Sequence, residues 1–148
     1  MPATIEKIKS VTGKEYAKVL LECVQNAKSS IDILMFEWRW YTNDFSNPVQ
    51  LINHALVGAV RRGVSVRAIT NNEKIADVLL SVGINAKVYP RTNLMHSKMI
   101  IIDKVKVLMG SHNLTMSAVN SNIETSVLFH DEDLAKTELD HMNNLWLL

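Results

Sequence analysis

The stretch HSKMIIIDKVKVLMGSHN, residues 96–113, decides the reading of this 148-residue chain. Two apolar runs, residues 95–102 and 105–109, flank a tight Asp103-Lys104 turn, so the stretch reads as a pair of antiparallel strands. On a strand, residues two apart share a face. His96 and Lys98 therefore point the same way. Asp103 stands at odd offsets from both and is expected to be structural, bonding turn amides or a nearby cation. Gly110 ends the second run, and Ser111 and Asn113 are good cap types ahead of a short helix expected at residues 114–119. A helix start offers free N–H groups and suits an anion. The antiparallel return is expected to bring that turn back beside His96 and Lys98. A phosphate there would meet the Lys98 ammonium, the Asn113 amide and backbone donors, an electrostatic clamp that asks for no metal and no cofactor.

Outward from this hairpin the pattern alternates. Residues 5–10 read as a short strand. Residues 14–28 read as a helix, with Tyr16, Val19, Leu20, Cys23, Val24 and Ala27 on one stripe. Ser29-Ser30 breaks it, and 31–38 is a strongly apolar run of strand length. A polar loop follows to Pro48, which suits a helix's first turn. Residues 49–62 read as a helix closed by Gly63. Residues 64–70 alternate and are β-branched, a strand. Asn71-Asn72 caps a helix at Glu73–Ser81, ended by Gly83. Residues 85–89 are a strand and 90–94 a loop. Residues 123–129 are a strand and 134–146 a helix. The expectation is one α/β domain over residues 1–148, a mixed, mostly parallel sheet sandwiched between helices.

Composition narrows the partners. Hydrophobic content is 47% and charged content 21%, ordinary for a soluble globular domain. No run reaches the roughly 18 apolar residues of a membrane span, and the first residues lack the apolar stretch of a signal peptide. A cytoplasmic, non-membrane protein is expected, with a removed leader left open. Cys23 is the only cysteine, which leaves no internal disulfide and no cysteine zinc site. Residues 131–148 carry a net charge of −4 against +1 for the whole chain. The remaining body is thus basic at +5 and permits a phosphate-bearing partner without requiring one.

Alone, a strand histidine is more often structural than catalytic, and a serine or asparagine is more often a routine cap. Six specified positions at fixed spacing arise by chance at fewer than about one in a million start sites. The pattern His96-x-Lys98-x4-Asp103-x6-Gly110-Ser111-x-Asn113 resembles the signature of the phospholipase D superfamily. The resemblance runs from about Tyr16 to Trp146, through AKSSIDILMF (27–36), RRGVSVR (61–67) and NIE (122–124). In length and layout the chain is similar to the small bacterial nucleases of that superfamily, with one motif per chain.

The resemblance implies a neutral His96 that attacks phosphorus and forms a phosphohistidine, and a second, protonated histidine that serves the leaving oxygen and then water. With one motif per chain, the second histidine is expected from His96 of a symmetry mate in a homodimer with a shared active site. Lys98 and Asn113 hold the phosphate, and Glu124 matches the acid that orients the histidine. Gly110, Ser111, His112 at the variable motif position and Arg91 before the motif strand are candidate substrate contacts. Arg61, Arg62, Arg67 and Lys87 are candidates to join Arg91 in a basic approach. His54, His130 and His141 lack motif support. Trp38, Trp40 and Tyr41, with Arg39 among them, read either as a packed rim or as a stacking platform for bases. Glu37 reads as pocket-lining or paired with Arg39. The expected activity is that of a metal-independent nuclease acting on DNA or RNA. A phospholipid phosphodiesterase and a nucleic-acid-binding module of a larger protein are the competing readings.

Overall fold

Asparagines start two of the helices. Asn47 accepts from the backbone N–H groups of Val49 and Gln50 at 2.9 and 3.3 Å, and Pro48 fills the first helical position. Asn72 accepts from those of Lys74 and Ile75 at 2.8 and 3.3 Å. The computed structural model describes residues 6–148, so Ile5 of the first expected strand lies outside the described residues. In chain order the elements are β1 (Ile8–Thr12), α1 (Glu15–Asn26), β2 (Ser30–Met35), α2 (Pro48–Arg61), β3 (Ser65–Thr70), α3 (Glu73–Ser81), β4 (Asn85–Val88), β5 (Lys98–Ile102), β6 (Lys106–Gly110), β7 (Thr125–His130) and α4 (Glu132–Trp146). A single π-type turn, Ser117–Ser121, lies between β6 and β7.

The strands form one mixed sheet in the order β1-β7-β6-β5-β2-β3-β4. Both faces carry helices, as expected. Parallel pairing is confined to β2–β3 and β3–β4, while β2–β5, β5–β6, β6–β7 and β1–β7 are antiparallel. The sheet is therefore mixed with the antiparallel share larger, where a mostly parallel sheet was expected. The cause is local. The crossovers through α2 and α3 return the chain parallel, and the tight turn after β5 returns it antiparallel.

β2 lies mid-sheet and is buried at all six positions, which explains its unbroken apolar run. Its Ile31, Ile33 and Met35 share a core with Leu20 and Val24 of α1, Ile52 and Leu56 of α2, and Leu79 of α3. Its Leu34 faces the other way, with Ile69, Ile101 and Val107, beneath Ala135 and Met142 of α4. The expected stripe of α1 is buried, Cys23 included, and burial pushes its thiol pKa up. Met95 and Met99 are core fillers.

One pairing positions the site. Antiparallel β2–β5 register sets Met35 opposite Lys98. The end of β2 and the start of β5 therefore share an edge of the sheet. β6 returns to that edge at Gly110, opposite Ser126 of β7. Asp103 is five residues beyond Lys98, about 17 Å along the strand, at the opposite edge.

Candidate active site

At the shared edge, Lys98 folds back on His96. Its Nζ donates to the His96 carbonyl at 2.9 Å and lies 3.1 Å from His96 Nδ1. The ammonium also lies 3.5 Å from Nε2, so it touches both ring nitrogens. Phe36, the residue after β2, packs its ring 4.4 Å from the His96 ring and 5.1 Å beneath the Lys98 ammonium. Asn71 ties this corner together, its Nδ2 donating to the carbonyls of Met95 at 2.7 Å and Phe36 at 3.3 Å. Burial pulls the Lys98 pKa below the usual lysine range, and the carboxylates of Glu124 and Glu37 oppose the shift. Both acids therefore stand within electrostatic reach of the same ammonium.

Asn113 faces this group from the β6–β7 connection. Its Oδ1 accepts from the Glu37 backbone N–H at 3.0 Å, leaving Nδ2 as its donating end. The neighbouring backbone pairs in both directions: Leu114 N–H donates to the Glu37 carbonyl and Arg39 N–H to the Leu114 carbonyl, both at 3.0 Å. These bonds hold Leu114 and Thr115 out of the helix expected at residues 114–119. Helical structure begins at Met116, and the Thr115 hydroxyl accepts from Ala118 N–H at 3.2 Å. The motif turn is thus a strand-like bridge to residues 37–39 rather than a helix start, and the expected helix-terminal anion site is absent from it.

Ser111 holds Glu124. Its hydroxyl donates to Glu124 Oε1 at 2.8 Å and accepts from Thr125 N–H at 2.9 Å. Asn122 Nδ2 donates to the other carboxylate oxygen at 3.4 Å. Within one chain Glu124 makes no hydrogen bond to His96, whose ring is engaged by Lys98. Within a single chain its carboxylate reaches Lys98 electrostatically. Asp103, at the far edge, takes four donors: Lys28 N–H at 3.0 Å, Ser29 N–H at 2.7 Å, the Ser29 hydroxyl at 3.0 Å and Ser30 N–H at 3.1 Å. It closes the α1–β2 loop onto the hairpin, the turn-amide role read from its spacing.

Three candidate substrate contacts fare differently. His112 is 1% exposed and is corrected from rim to core. Its ring stacks on Tyr16 at 4.2 Å between centroids. Nε2 lies 2.9 Å from the Gly13 carbonyl, which only accepts, so Nε2 carries the proton and Nδ1 accepts from the Ser126 hydroxyl at 2.8 Å. Burial holds the His112 pKa below the usual histidine range, opposed by the Gly13 bond and the Glu124 charge. Gly110 is exposed and lines a cleft with Ser97 and Lys98, and it is also a point of close strand packing. A Cβ there would overlap the Thr125 carbonyl and Ser126 backbone, so glycine lets β6 and β7 meet. Arg91 is exposed on the β4–β5 connection.

Of the rest of the expected basic approach, Arg61 is exposed, and Arg67, Lys87 and Arg62 make structural contacts. Arg67 pairs with Asp32 at 2.6 Å and donates to Asn143 at 2.8 Å. Lys87 donates to the Trp146 carbonyl at 2.8 Å. Arg62 donates to the carbonyls of Val24 and Ala27 at 3.1 and 3.0 Å. Sequence reasoning missed Phe36 and Asn71, and it discounted His141. His141 lines one cleft with Ser97 and Lys98 and another with His96. The stripe Leu134, Glu138, His141, Leu145 at helical spacing was the available signal.

The comparisons agree with this geometry. A family model described as "Cardiolipin synthase, PLD-like domain" matches residues 20–146. A phospholipase D of Rickettsia prowazekii (strain Madrid E) is 30% identical over 130 residues, which cover 84% of this chain and 59% of the relative. A mitochondrial cardiolipin hydrolase of Canis lupus familiaris is 26% identical over 140 residues, 90% of this chain and 52% of the relative. The chain thus spans between half and three-fifths of the length of these curated relatives. The solved structure of Nuc from Salmonella typhimurium, a phospholipase D family member, superposes with a TM-score of 0.79 at 26% identity, covering 94% of each chain.

Proposed function

The chain belongs to the phospholipase D-like domain family, an enzyme family of phosphodiester chemistry, and from that premise we propose that it is a metal-independent, homodimeric nuclease. The observation that carries the proposal is the cluster at one sheet edge: His96 in contact with Lys98, Asn113 with a free donating end, and Glu124 held by Ser111. In the first step the His96–phosphorus bond forms as the bond to the leaving oxygen breaks. A protonated His96 from a second copy gives that oxygen its proton. In the second step the partner imidazole takes a proton from water, whose oxygen displaces His96 from phosphorus. Lys98 and Asn113 stabilise the charge that builds on the phosphoryl oxygens. Ser111 acts through Glu124. Arg91, exposed before the motif strand, meets the substrate as it enters.

Nucleic acid is favoured by the basic body of the chain and by the end-to-end likeness to Nuc. A second reading has its own support. Relatives are named phospholipase D and cardiolipin hydrolase, and a cleft of about 360 Å³ beside Lys98 is lined by Met99 and Met109, a surface suited to an acyl chain. No helix among the described residues is long and apolar enough to cross a membrane.

One experiment separates these readings. The purified protein is incubated in EDTA with labelled single- and double-stranded DNA, RNA and phospholipid vesicles. Cleavage of nucleic acid supports the nuclease, and hydrolysis of vesicles alone replaces it with the lipid enzyme. A His96→Ala chain mixed with wild type tests the shared site: activity should fall faster than the wild-type fraction once chains exchange. Strict proportionality would leave each chain sufficient by itself. A His141→Ala chain, measured alongside, shows whether the imidazole on α4 is needed instead. With two imidazoles in opposite protonation states, the rate should follow a bell in pH.

A further inference from the structure

Next to the catalytic edge, at the ends of β2 and β3, lies a cleft of about 240 Å³ lined by Trp38, Arg39, Trp40, Asn72 and Lys74, among others. Its position is fixed by the bonds that fix the site. The Arg39 N–H donates to the Leu114 carbonyl, one residue from Asn113, and the Arg39 carbonyl accepts from Asn53 Nδ2 at 3.1 Å. The buried Trp38 indole donates to Asn53 Oδ1 at 2.8 Å. With the backbone pinned at both ends, the Arg39 side chain projects outward and is exposed. Lys74, also exposed, lines the same cleft. Among the described residues neither cation has a carboxylate partner, the ion pairs being Lys9–Glu15 and Arg67–Asp32. No acid lines the cleft. Trp40 is half-buried, packed on the main core and lining the cleft. The volume is below the roughly 300–1,000 Å³ of a whole small-molecule site and suits one ring or one phosphate.

We propose that this cleft is a subsite for a nucleotide flanking the scissile phosphodiester of a single-stranded nucleic acid, with Arg39 and Lys74 on its phosphate and Trp40 beneath its base. The inference rests on the nuclease reading and adds the substrate's strandedness and path. Arg39 lies three residues from Phe36, at most about 10 Å of extended chain, so the strand that places one phosphate at His96 places a neighbour at Arg39. A rigid aromatic face with two unpaired cations is the device that binds single strands without reading sequence, because every base has a π-face. A paired duplex keeps its bases stacked inside and offers Trp40 nothing.

The test uses Arg39→Gln, Lys74→Gln, the double variant and Trp40→Leu. Substrates are bis(p-nitrophenyl) phosphate as a minimal diester, a single-stranded oligonucleotide and its duplex. The double variant should raise KM for the single strand about tenfold and lower its log–log salt slope by about 1 to 2. It should leave bis(p-nitrophenyl) phosphate turnover unchanged, which also reports intact folding. Trp40→Leu should raise the same KM without changing the salt slope. An unaltered KM and salt slope in the double variant overturns the subsite while leaving the nuclease reading intact. An equal loss on single strand and duplex overturns the strandedness and makes the cleft a general anion patch. Wild-type turnover of the minimal diester with every nucleic acid left whole defeats the nuclease reading itself, and the subsite with it.

Discussion

Asp103 sits inside the motif that carries the chemistry, yet its geometry predicts that it does none of it. Replacing it tests the whole placement of the site. Its Oδ1 takes Lys28 N–H, Ser29 N–H, the Ser29 hydroxyl and Ser30 N–H, while Oδ2 takes only Lys28 N–H. Asp103→Ala leaves three amides and a hydroxyl without their acceptor. The turn is half-exposed and water reaches it, so each loss costs about 0.5–1 kcal/mol rather than the full 1–3 of a buried group. The backbone at φ 53° costs alanine about 1 kcal/mol more. The expected total is about 3–5 kcal/mol. Asparagine keeps an acceptor in the Oδ1 position and tolerates the left-handed conformation, losing the charge and one bond, for about 1–2 kcal/mol. Urea unfolding at constant m measures both.

The acid side gives a second readout of the same residue. Burial pushes the Asp103 carboxyl up, but the bonds from Ser29, Lys28 and Ser30 outweigh it and hold the pKa below the usual 3.8. A carboxyl lowered in the folded state stabilises above its unfolded value, and that stability fades as pH falls through the folded one. Wild type should therefore lose stability below pH 3.8 to a degree that Asp103→Asn does not. The kcat of folded Asp103→Asn should stay within about twofold of wild type, under 0.5 kcal/mol. A variant that keeps its urea midpoint and loses activity a hundredfold would put Asp103 in the chemistry and refute the topology argument. Equal midpoints for the alanine and asparagine variants would refute the bond count.

Three further outcomes follow from the same geometry. Gly110→Ala should cost at least about 2–3 kcal/mol of overpacking against Thr125 and Ser126, with activity falling alongside stability; a normally stable variant with only KM raised would return Gly110 to the substrate. His112 is held neutral by burial. Its contribution to stability should be complete above the unfolded value of 6.5 and be lost as pH falls toward its lower folded value. His112→Gln, less stable at neutral pH, should flatten the urea midpoint across that window, and an unchanged slope would show the imidazole titrating freely. Lys98 must stay charged to clamp phosphate, and its pKa is below the ordinary lysine range. The rate should therefore decline on the alkaline side earlier than an ordinary lysine allows. Lys98→Arg, always charged, should lower the maximum but carry the plateau to higher pH, and an unmoved alkaline limb would assign that limb to another group.

Much of the fold was legible because its signals are local. Helix α3 lies where Asn72 and Gly83 bracket an apolar period, and the stripe of α1 is the buried one. The hairpin followed from two apolar runs and a turn whose central residues, Asp103 and Lys104, both take positive φ. The antiparallel β2–β5 pairing carries no local mark, because nothing within residues 31–35 or 98–102 names its partner. It decides how much of the sheet is parallel and which edge holds the site. His112 was misread for a different reason. Residues 110–113 continue the strand alternation, so that with Ser111 facing outward residue 112 turns inward, but treating the stretch as a helix cap hid that period. Asn53 and Gln50 are buried at 0% and 2% exposure because they bond Trp38, Tyr41 and Arg39. A polar residue on a helix face does not announce such long-range partners.

The same topology supplies the physical ground for proposing a two-chain site. Displacement at phosphorus sets the leaving group roughly in line with the attacking atom, so the imidazole that protonates it must stand across the phosphate from His96. Four other histidines are on offer within the chain. His112 has both ring nitrogens committed to Ser126 and Gly13. His54 lies on the outer face of α2 with its ring 5.9 Å from Phe45. His130 pairs with Lys106, at the Asp103 edge, a strand's length away. His141 approaches from α4, beneath the sheet face opposite α1, α2 and α3. Of the four, His141 lines a cleft that also holds His96, so it is the in-chain alternative that the His141→Ala chain tests against a second copy. A second copy related by a twofold axis through the open edge where Lys98 and Asn113 present their donors would bring an identical imidazole with its own ammonium, doubling the positive charge on a phosphate held between them. That charge doubling is why Lys98→Ala in one subunit of a mixed dimer should cost nearly as much as in both.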